Sequence, residues 1–284
     1  MATLLTLRRR IKTARNVSKT TKAMQMIAAS KLKKAQNAAV ASKPYVQKLE
    51  ELSKQISVRT DKDNLHKYML KPENTNSKLY IVISPDKGLC GGLVTNLMRE
   101  VVKMDDKSKH FFITVGKKAE NYVSMLNKEI IASFPFGTTL PSFEVVYPLA
   151  NIIDQYFLSK KVSEVIIITT KFTNVFSQAP QISTLLPITL LEQTKQIEST
   201  MLFEPTTDEL LPDLLQRYIE MMLYQSILES YASEQASRMI AMKNATDNAL
   251  DIIESLRLMY NKSRQEKITN ELLDITGGMQ SAYA

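Results

Sequence analysis

The sequence predicts an α/β domain combined with two long helices, and three observations support that fold class. Residues 4–43 and 213–276 contain no glycine and no proline, so nothing in either run obliges a helix to stop. In both runs apolar residues recur at alternating steps of three and four, the pattern of a coiled-coil seam. Between the runs, short β-rich segments alternate with helical ones. We therefore expect the terminal helices to wind around each other, with the α/β domain at one end.

The two seams can be assigned residue by residue. In the first helix, expected over residues 1–58, the seam comprises Leu7, Ile11, Ala14, Val17, Thr21, Met24, Ala28, Leu32, Ala35 and Ala39. In the last helix, expected over residues 207–280, it comprises Met221, Tyr224, Leu228, Tyr231, Met242, Ala245, Ala249, Ile252, Leu256 and Met259. Small side chains on the first seam would allow a partner helix to approach closely.

Proline and glycine predict where the helices bend and end. Pro44 is expected to bend the first helix or to open a new turn, because proline is not tolerated well inside a helix. Pro205 and Pro212 are expected to break the chain before the last helix. Gly277 and Gly278 are expected to close that helix, because glycine readily adopts the left-handed conformation of a helix end.

Gln235 and Arg238 interrupt the second seam. In one interpretation the two residues lie beside the seam and are exposed to solvent. In the other, the contact with the first helix ends here and the last helix continues into another protein. Beyond Arg238 apolar residues are spread around the helix, whereas one partner helix covers only one stripe. This distribution favours the second interpretation.

Residues 78–190 have the pattern of an α/β domain. The expected strands are Leu79–Ser84, Phe111–Val115, Ile130–Ser133, Val165–Thr170 and Ile182–Leu190. The expected helices between them are Leu93–Met104, Lys117–Asn127 and Phe143–Lys160. This alternation predicts βαβ units and a Rossmann-like parallel sheet. The polar segment 59–77 is interpreted as a linker.

Composition and charge limit the classes of function. The 284 residues include a single cysteine, which excludes an internal disulfide and favours a reducing, cytosolic compartment. No apolar run approaches the roughly 18 residues that a membrane span needs, and no secretory signal is present. The net charge is +8, and no acidic residue precedes Glu50. That asymmetry fits nucleic acid, anionic lipid, an acidic protein or a transit peptide, but a seam that continues through the segment favours retained structure.

The loop at residues 84–92 follows the first strand, where α/β folds commonly bind phosphate. Its glycine spacing is neither that of a dinucleotide fold nor that of a P-loop, so a tight strand-to-helix turn is the preferred interpretation. Asp86 and Lys87 are candidates for a partner contact. Cys90, His66 and His110 show no triad pattern, and no spacing of ligands predicts a metal. We therefore predict no catalytic residue, no cofactor and no metal site.

Four segments together resemble the γ subunit of F-type ATP synthase, and the resemblance covers essentially the whole chain. They are residues 20–32, 86–92, 237–249 and 268–277. In one departure, Gly278 stands where the family usually has alanine. The chloroplast-type insertion with a regulatory cysteine pair is absent, so redox control of that kind is not expected.

The resemblance implies an antiparallel coiled coil with an α/β domain at its base, acting as a rotor inside a hexamer of α and β subunits. It implies partners in the α, β, ε and δ subunits and the membrane c-ring, with no nucleic acid and no insertion into the membrane. It implies a location on the cytoplasmic face of a bacterial membrane or, alternatively, on the matrix face of the mitochondrial inner membrane. The contacts with the surrounding subunits that it implies are Met24, Arg238, Arg264, Gln265 and Thr269, with Asp86 and Lys87 on the side of the c-ring and ε.

Two other classes of function remain as alternatives. A soluble α/β enzyme with helical arms would need a nucleotide-binding or catalytic constellation, and the sequence offers none. A basic coiled-coil protein that binds nucleic acid would bind DNA with a steep salt dependence. The first helix has no aromatic residue before Tyr45, which weakens that alternative.

Overall fold

Long helices occupy both ends of the chain, and short strands and helices alternate between them. The computed structural model describes residues 3–59, 66–72, 75–104, 109–188 and 206–282, and their side chains except at residues 50, 54–59, 207, 208 and 274–282. The helices are α1 (Leu4–Arg59), α2 (Leu93–Lys103), α3 (Lys117–Met125), α4 (Val146–Leu158) and α5 (Thr207–Ala282), with 3-10 turns at Lys67–Met69 and Phe143–Val145. The strands are β1 (Lys78–Ile83), β2 (Phe111–Val115), β3 (Glu129–Phe134), β4 (Glu164–Phe172) and β5 (Gln178–Leu186). The predicted fold class is confirmed.

The chain divides into two compact units. We call the first the terminal unit; it consists of Met1–Ile27 and Met239–Ala284. We call the second the sheet unit; it consists of Ala28–Arg238. The terminal unit contains one part of α1 and one part of α5, and the sheet unit contains the rest of both helices together with β1–β5.

In the terminal unit α1 and α5 run antiparallel. The hydroxyl oxygens of Thr21 and Thr246 lie 2.7 Å apart and share a hydrogen bond. Residues 5–15 of α1 line one groove together with Arg257 and Tyr260 of α5, so the chain directions are opposed. The buried side chains of this unit include Leu7, Met242, Thr246, Ala249 and Ile253. The predicted antiparallel pairing is therefore present here.

Four residues that we assigned to the seams do not lie on them. These exposed residues are Val17, Met24, Ile252 and Met259. The buried or half-buried positions beside them are Ser18, Gln25, Ile253 and Tyr260. The observed spacing alternates three and four without interruption, and only such a strict repeat keeps a stripe against a partner helix. The terminal unit thus has polar residues within its seam and apolar residues outside it.

In the sheet unit the same two helices also pair. Ser42 Oγ donates a hydrogen bond of 2.7 Å to Gln225 Oε1. The buried seam residues on α1 include Ala28, Leu32 and Ala35. Those on α5 include Met221, Leu228 and Tyr231. All six are buried, as the sequence assignment to the seams requires, and Tyr231 also contacts Phe136 in the loop after β3.

The sheet has five strands in the order β3-β2-β1-β4-β5. Strand β1 pairs in parallel with β2 on one side and with β4 on the other, and β2 pairs in parallel with β3. Continuous apolar sequence in β1 and β4 suits strands that are covered on both faces. The parallel sheet predicted from the sequence is confirmed for these four strands.

Among the described strands, β5 alone runs antiparallel, pairing with β4 from Val165↔Leu186 to Phe172↔Gln178. Only residues 173–177 separate the two strands, too few for the crossover that a parallel connection needs. Asn174 stabilises this turn, because its Oδ1 accepts hydrogen bonds from the backbone N–H groups of Phe176 and Ser177. The strand predicted at Ile182–Leu190 therefore begins and ends four residues earlier, and residues 189 and 190 lie outside the described part of the chain.

Helices cover both faces of the sheet. On one face α2 and α3 pack against a cluster of side chains that includes Tyr80 and Phe112, whose rings stack 5.3 Å apart. On the other face the ring of Phe111 contacts that of Tyr156 on α4. Thr169 on β4 donates a hydrogen bond to the carbonyl of Ser226 on α5. The sheet thus forms the middle layer of the unit, with a segment of α5 as part of one outer layer.

The structure corrects several predicted boundaries of helices. Pro44 lies inside α1, within the range expected for the first helix. Pro212 was expected to break the chain before the last helix but lies inside α5. Each proline removes one helical hydrogen bond, and burial of neighbours such as Leu211 and Leu215 offsets that loss around Pro212. Helix α5 continues to Ala282, past the expected end at Gly277–Gly278, because glycine permits a helix to end but does not force it to.

The predicted linker is also partly ordered. A 3-10 turn lies at Lys67–Met69, and the side chain of Tyr68 is buried. The backbone N–H of Ile188 donates a hydrogen bond of 2.9 Å to the carbonyl of Tyr68. This segment therefore belongs to the packed sheet unit.

Gly116 provides a test of how closely the loops at the end of β2 are packed. It has φ +100°, and a Cβ atom there would lie 2.0 Å from the carbonyl oxygen of Ser84. We expect Gly116→Ala to lower the free energy of unfolding by about 2–4 kcal/mol, from backbone strain and steric overlap together. Gly88→Ala is the matched control, since nothing lies within 4 Å of its added methyl group. Urea denaturation measures both variants, and equal stabilities would contradict this packing.

Candidate functional site

The carboxylate of Asp86 makes three of the hydrogen bonds that fix the loop at residues 84–92, beside those of Ser84 and Pro85 with the N–H groups of Ala119 and Lys118. Asp86 Oδ1 accepts hydrogen bonds from the backbone N–H groups of Lys117 (2.9 Å) and Phe136 (3.4 Å). Asp86 Oδ2 accepts one from the N–H of Gly137 at 2.8 Å. Charged acceptors make stronger hydrogen bonds than neutral ones. Asp86 therefore ties the loop after β1 to the chain that follows β2 and β3.

Arg238 of α5 binds the same loop from the other side. Its Nη2 donates hydrogen bonds of 3.2 Å to the carbonyl oxygens of Lys87 and Gly88 and lies 2.6 Å from Glu234 Oε1. Ser237 Oγ donates to the carbonyl oxygen of Cys90 at 2.6 Å. The side chain of Arg238 is only 16% exposed.

The first interpretation, in which Gln235 and Arg238 are exposed to solvent beside the seam, is therefore wrong. Gln235 is buried, and Arg238 makes its described contacts within the sheet unit. The intramolecular partners of Arg238 explain why a charged residue is tolerated at this position of the seam. The second interpretation, a helix that continues into another protein, has to rest on residues beyond Arg238.

A second loop is held by both long helices. The carbonyl oxygen of Thr138, which follows β3, accepts hydrogen bonds from Lys31 Nζ at 2.6 Å and from Tyr231 Oη at 3.3 Å. We use the term loop–helix joint for these contacts together with those of Asp86, Ser237 and Arg238. The joint lies at the carboxyl ends of the parallel strands, within the sheet unit.

Sequence reasoning identified Asp86, Lys87 and Arg238 but missed Lys31, Tyr231 and Glu234. The spacing of Glu234 and Arg238, four residues apart on a helix, is a signal that could have revealed their ion pair. The carbonyl acceptors carry no signal in the sequence, because every residue has a carbonyl group.

Burial governs the titration of the joint. Burial raises the pKa of the Glu234 carboxyl, while the positive charge and hydrogen bond of Arg238 act in the opposite direction. Within the described residues, Glu234 Oε2 has no hydrogen-bond partner, which fits the loss of hydration as the main effect. Burial also raises the pKa of the Cys90 thiol, with Arg238 opposing. Such a thiol is largely protonated at neutral pH and is a poor nucleophile.

The two histidines have structural partners. His66 Nδ1 accepts a hydrogen bond from the N–H of Tyr68, and burial together with the charge of Lys67 lowers the pKa of His66. His110 Nδ1 accepts a hydrogen bond from the N–H of Lys78. In the part of the chain that the structure describes, no group of three metal-binding side chains and no helix suited to cross a bilayer occurs.

The terminal unit carries many large apolar side chains on its outside. We call this set the outer apolar surface; its members on α1 are Leu5, Val17, Met24, Met26 and Ile27. Its members on α5 are Leu250, Ile252, Leu258, Met259, Ile268, Leu272 and Leu273. Exposed apolar surface on this scale is typical of a site that binds another macromolecule.

A basic groove lies in the same unit. It has a volume of about 790 Å³, and its charged lining is Arg8, Arg9, Lys12, Arg15 and Arg257. Leu5, Ile11 and Tyr260 complete the lining. The sequence analysis singled out the basic first helix but not the contribution of Arg257 and Tyr260 from the last helix.

The remaining predicted site residues are at the surface. Met24 is exposed, and so are Arg264, Gln265 and Thr269 on α5. Thr269 Oγ1 donates a hydrogen bond to the carbonyl oxygen of Gln265, a contact within the helix. Lys87 is exposed, whereas the carboxylate of Asp86 is occupied by backbone donors. Contact of these residues with other subunits stays a prediction.

Comparison with known proteins identifies the family. A family profile described as ATP synthase matches residues 3–282. The ATP synthase gamma chain of Dehalococcoides mccartyi is 38% identical over 280 residues, which cover 98% of each chain. The chain belongs to the ATP synthase gamma-chain family. The gamma chain of Brevibacillus brevis is 36% identical over 277 residues, which cover 96% of each chain.

Solved structures agree with this membership. A chain of the central stalk and c-ring of Tetrahymena thermophila mitochondrial ATP synthase matches with a TM-score of 0.61 and 26% identity, covering 80% of this chain and 99% of that one. A chain of Euglena gracilis mitochondrial ATP synthase matches with a TM-score of 0.59 and 20% identity, covering 93% and 96%. At that lower identity the second match supports the fold alone.

Glu234 gives a pH-dependent test of the joint in this gamma-chain family member. Burial raises its pKa above the unfolded value of about 4.5, so between these two values the folded chain binds a proton that the unfolded chain releases. The contribution of Glu234 to stability is therefore present below pH 4.5 and is lost as pH rises through the raised pKa. Glu234→Gln cannot titrate, so the stability of this variant relative to wild type should increase with pH over that window.

Urea denaturation at several pH values measures the difference between Glu234→Gln and wild type. Asp213→Asn, which removes an exposed carboxylate from the same helix, controls for the loss of one negative charge. A difference that stays constant from pH 4 to pH 8 would show that Glu234 does not titrate as its burial requires.

Proposed function

We propose that this chain is the rotor subunit in the central stalk of a proton-translocating F-type ATP synthase. In this role the coiled coil of α1 and α5 turns inside a hexamer of α and β subunits and couples proton flow through a c-ring to ATP synthesis or hydrolysis. The observation that carries the proposal is the outer apolar surface of the terminal unit, in a chain of the gamma-chain family.

The outer apolar surface is costly unless another protein covers it. Covering a large apolar side chain is worth about 1.5–3 kcal/mol, and twelve such side chains are exposed among the described residues of the terminal unit. They lie on both helices, outside the seam, so pairing of α1 with α5 leaves them in water. A ring of other subunits around the coiled coil would cover apolar side chains on both helices, whereas a single partner would cover one side.

Contacts with these surrounding subunits would use both apolar and charged residues. Met24 and Arg238 are proposed near the lower loops of the catalytic subunits, and Arg264, Gln265 and Thr269 higher in the hexamer. The basic groove of the terminal unit suits acidic loops of the enclosing subunits by complementary charge. Since Arg238 is already bound inside the sheet unit, any contact with a β subunit has to share or replace those bonds.

The proposed mechanism needs no catalytic group in this chain. An asymmetric rotor makes different contacts with each β subunit, and a difference in binding free energy between conformations shifts the population of each subunit. Turning the rotor would carry each catalytic β subunit through its states in sequence. The chain therefore requires rigidity and asymmetry, and it requires no cofactor of its own.

The base of the rotor would lie on the c-ring beside the ε subunit, with δ elsewhere in the complex. The carbonyl oxygen of Lys87 binds Arg238, so we place the exposed Lys87 side chain near the same lower loops of the catalytic subunits as Arg238, whereas Asp86 would act through the shape of its loop. The chain would be held at the cytoplasmic face of a bacterial membrane through its partners.

Mild purification of the tagged full-length chain tests this function directly. We expect α and β subunits to co-purify in threefold excess over the tagged chain and the complex to hydrolyse ATP. Recovery of the folded chain without these subunits, from cells that contain them, would refute the proposal.

A single charged substitution tests whether the outer apolar surface is covered in the assembled complex. Leu258 is 67% exposed, so Leu258→Glu should change the stability of the isolated chain by no more than about 0.5 kcal/mol. The same change would place a charge against the surrounding subunits, and we expect it to reduce the yield of assembled complex by at least about tenfold. Asn261→Glu is the matched control, because it adds the same charge at an exposed polar position without removing an apolar contact. An equal yield from both variants would show that Leu258 is not covered.

A further inference from the structure

We propose that the loop–helix joint transmits torque between the two long helices and the sheet, and that Asp86 is the residue that positions it. The inference rests on the proposed function, since torque matters only in a rotor. It assigns a role to a carboxylate whose described hydrogen bonds all come from backbone N–H groups.

Side chains of the two long helices donate hydrogen bonds to backbone carbonyl groups in the loops of the sheet unit. The four donors are Lys31 on α1 and Tyr231, Ser237 and Arg238 on α5. Their five hydrogen bonds end on four carbonyl oxygens of two loops, those of Lys87, Gly88, Cys90 and Thr138, and Thr138 accepts two of the five. A carbonyl oxygen can move only with its backbone, so the stiffness of these contacts depends on how firmly the loops are held.

Asp86 holds both loops. It lies in the first loop, immediately before Lys87, and its carboxylate binds the backbone N–H groups of Phe136 and Gly137, immediately before Thr138. Through the N–H of Lys117 it also fixes the start of α3. Ser84 and Pro85 are also tied to α3, through the N–H groups of Ala119 and Lys118, but these bonds do not reach the second loop. Among the described side-chain hydrogen bonds, those of Asp86 join the two groups of acceptors that the helices bind.

Side-chain packing and polar contacts both hold the helices at this point. Small buried side chains lie at Ala28 and Ala35 on α1 and at Ala232 and Ala236 on α5, and the buried Tyr231 packs its ring against that of Phe136. Small side chains interdigitate weakly, and the hydrophobic effect has no directional preference. Hydrogen bonds are directional and weaken steeply when bent, so the polar contacts of the joint add resistance to shear.

Cys90 is a built-in reporter of the joint. It is the single cysteine of the chain, its side chain is 2% exposed, and its carbonyl oxygen accepts the bond from Ser237. Its thiol can react with Ellman's reagent only when the loop opens. The rate of that reaction therefore measures how often the loop leaves α5.

The first experiment compares this rate in full-length variants. Asp86→Ala should raise the rate by at least about tenfold, and Asp86→Asn should give an intermediate increase because its amide keeps one acceptor oxygen. Glu144→Ala removes an exposed carboxylate from the same unit and should leave the rate within about twofold of wild type. Urea denaturation of each variant separates local opening from global unfolding.

Equal rates for Asp86→Ala and Glu144→Ala would overturn the positioning role. If Asp86→Ala does not fold, Asp86→Asn provides the same comparison, and a rate equal to that of wild type would overturn the role again.

The second experiment measures torsional stiffness in the assembled ATPase. A bead is attached to the sheet unit through Met125→Cys, an exposed position, in a Cys90→Ser background, while the hexamer is fixed to a surface. During pauses at limiting ATP, Asp86→Ala should increase the angular variance of the bead by about twofold, and Glu144→Ala should not. Equal variance would overturn the torque role. If the bead does not rotate even without a further substitution, the proposed function fails, while the Cys90 rates still report whether Asp86 holds the loop.

Discussion

Hydrogen bonds from helix side chains to loop carbonyl groups are the constraint on which the sheet unit depends. They bring α1 and α5 to the carboxyl ends of the parallel strands, at Thr138 and at Lys87 to Cys90. The buried ion pair of Arg238 with Glu234 orients the guanidinium toward those carbonyls. Breaking such a pair by removing one partner leaves a buried charge, which costs more than the pair contributes when intact. The joint is thus a specific arrangement that the sequence maintains at some cost.

In the terminal unit the same two helices place polar residues in the seam and large apolar residues at the surface. Its seam contains the hydroxyl pair of Thr21 and Thr246 and the half-buried Gln25, while larger apolar side chains such as Met24 and Ile252 face outward. Each hydroxyl can also donate within its own helix, Thr21 to the carbonyl oxygen of Val17 and Thr246 to that of Met242. The bond between the two hydroxyls therefore favours this register, although neither threonine depends on it for a partner. Apolar residues placed outside the seam stabilise the pairing little and become useful only when another protein covers them. This division of residues fits a shaft that is aligned by its own contacts and enclosed by others.

Much of the fold could be predicted from the sequence because the signals were local. Runs of β-branched residues located β1 and β4, and the absence of glycine and proline located the long helices. The errors in the predicted helix ends arose at residues that allow a helix to end but do not require it. Pro212 and Gly277 allow a helix to break, but buried neighbours of Pro212 and the continuing helix past Gly277 show that neither residue required it. Val17 was preferred to Ser18 for a buried position because it is apolar, although the spacing of the seam decided otherwise.

The candidate site was less predictable, since its partners are far apart in sequence. The backbone donors to Asp86 are 31, 50 and 51 residues away, and the carbonyl acceptors of Arg238 are 151 and 150 residues away. Propensity and periodicity carry no information over such separations. The loop at residues 84–92 was singled out by its place after the first strand, with a tight turn as the preferred interpretation and the charged Asp86 as a candidate for a partner contact. The use of that charge, to hold backbone rather than a ligand, required the arrangement of β1, β2 and β3 in space.

The hairpin between β4 and β5 decides where the chain leaves the sheet. Because β5 runs back alongside β4, its last residue, Leu186, pairs with Val165 at the amino end of β4. The chain therefore leaves the sheet at the amino ends of the parallel strands, whereas the joint lies at their carboxyl ends. The chain has to return along the length of the strands before Ser237 and Arg238 can bind the carbonyl oxygens of Cys90 and Lys87. On its way to the joint α5 is bonded to β4 at two successive residues, since Ser226 accepts from Thr169 and Ser233 donates to the carbonyl oxygen of Thr170.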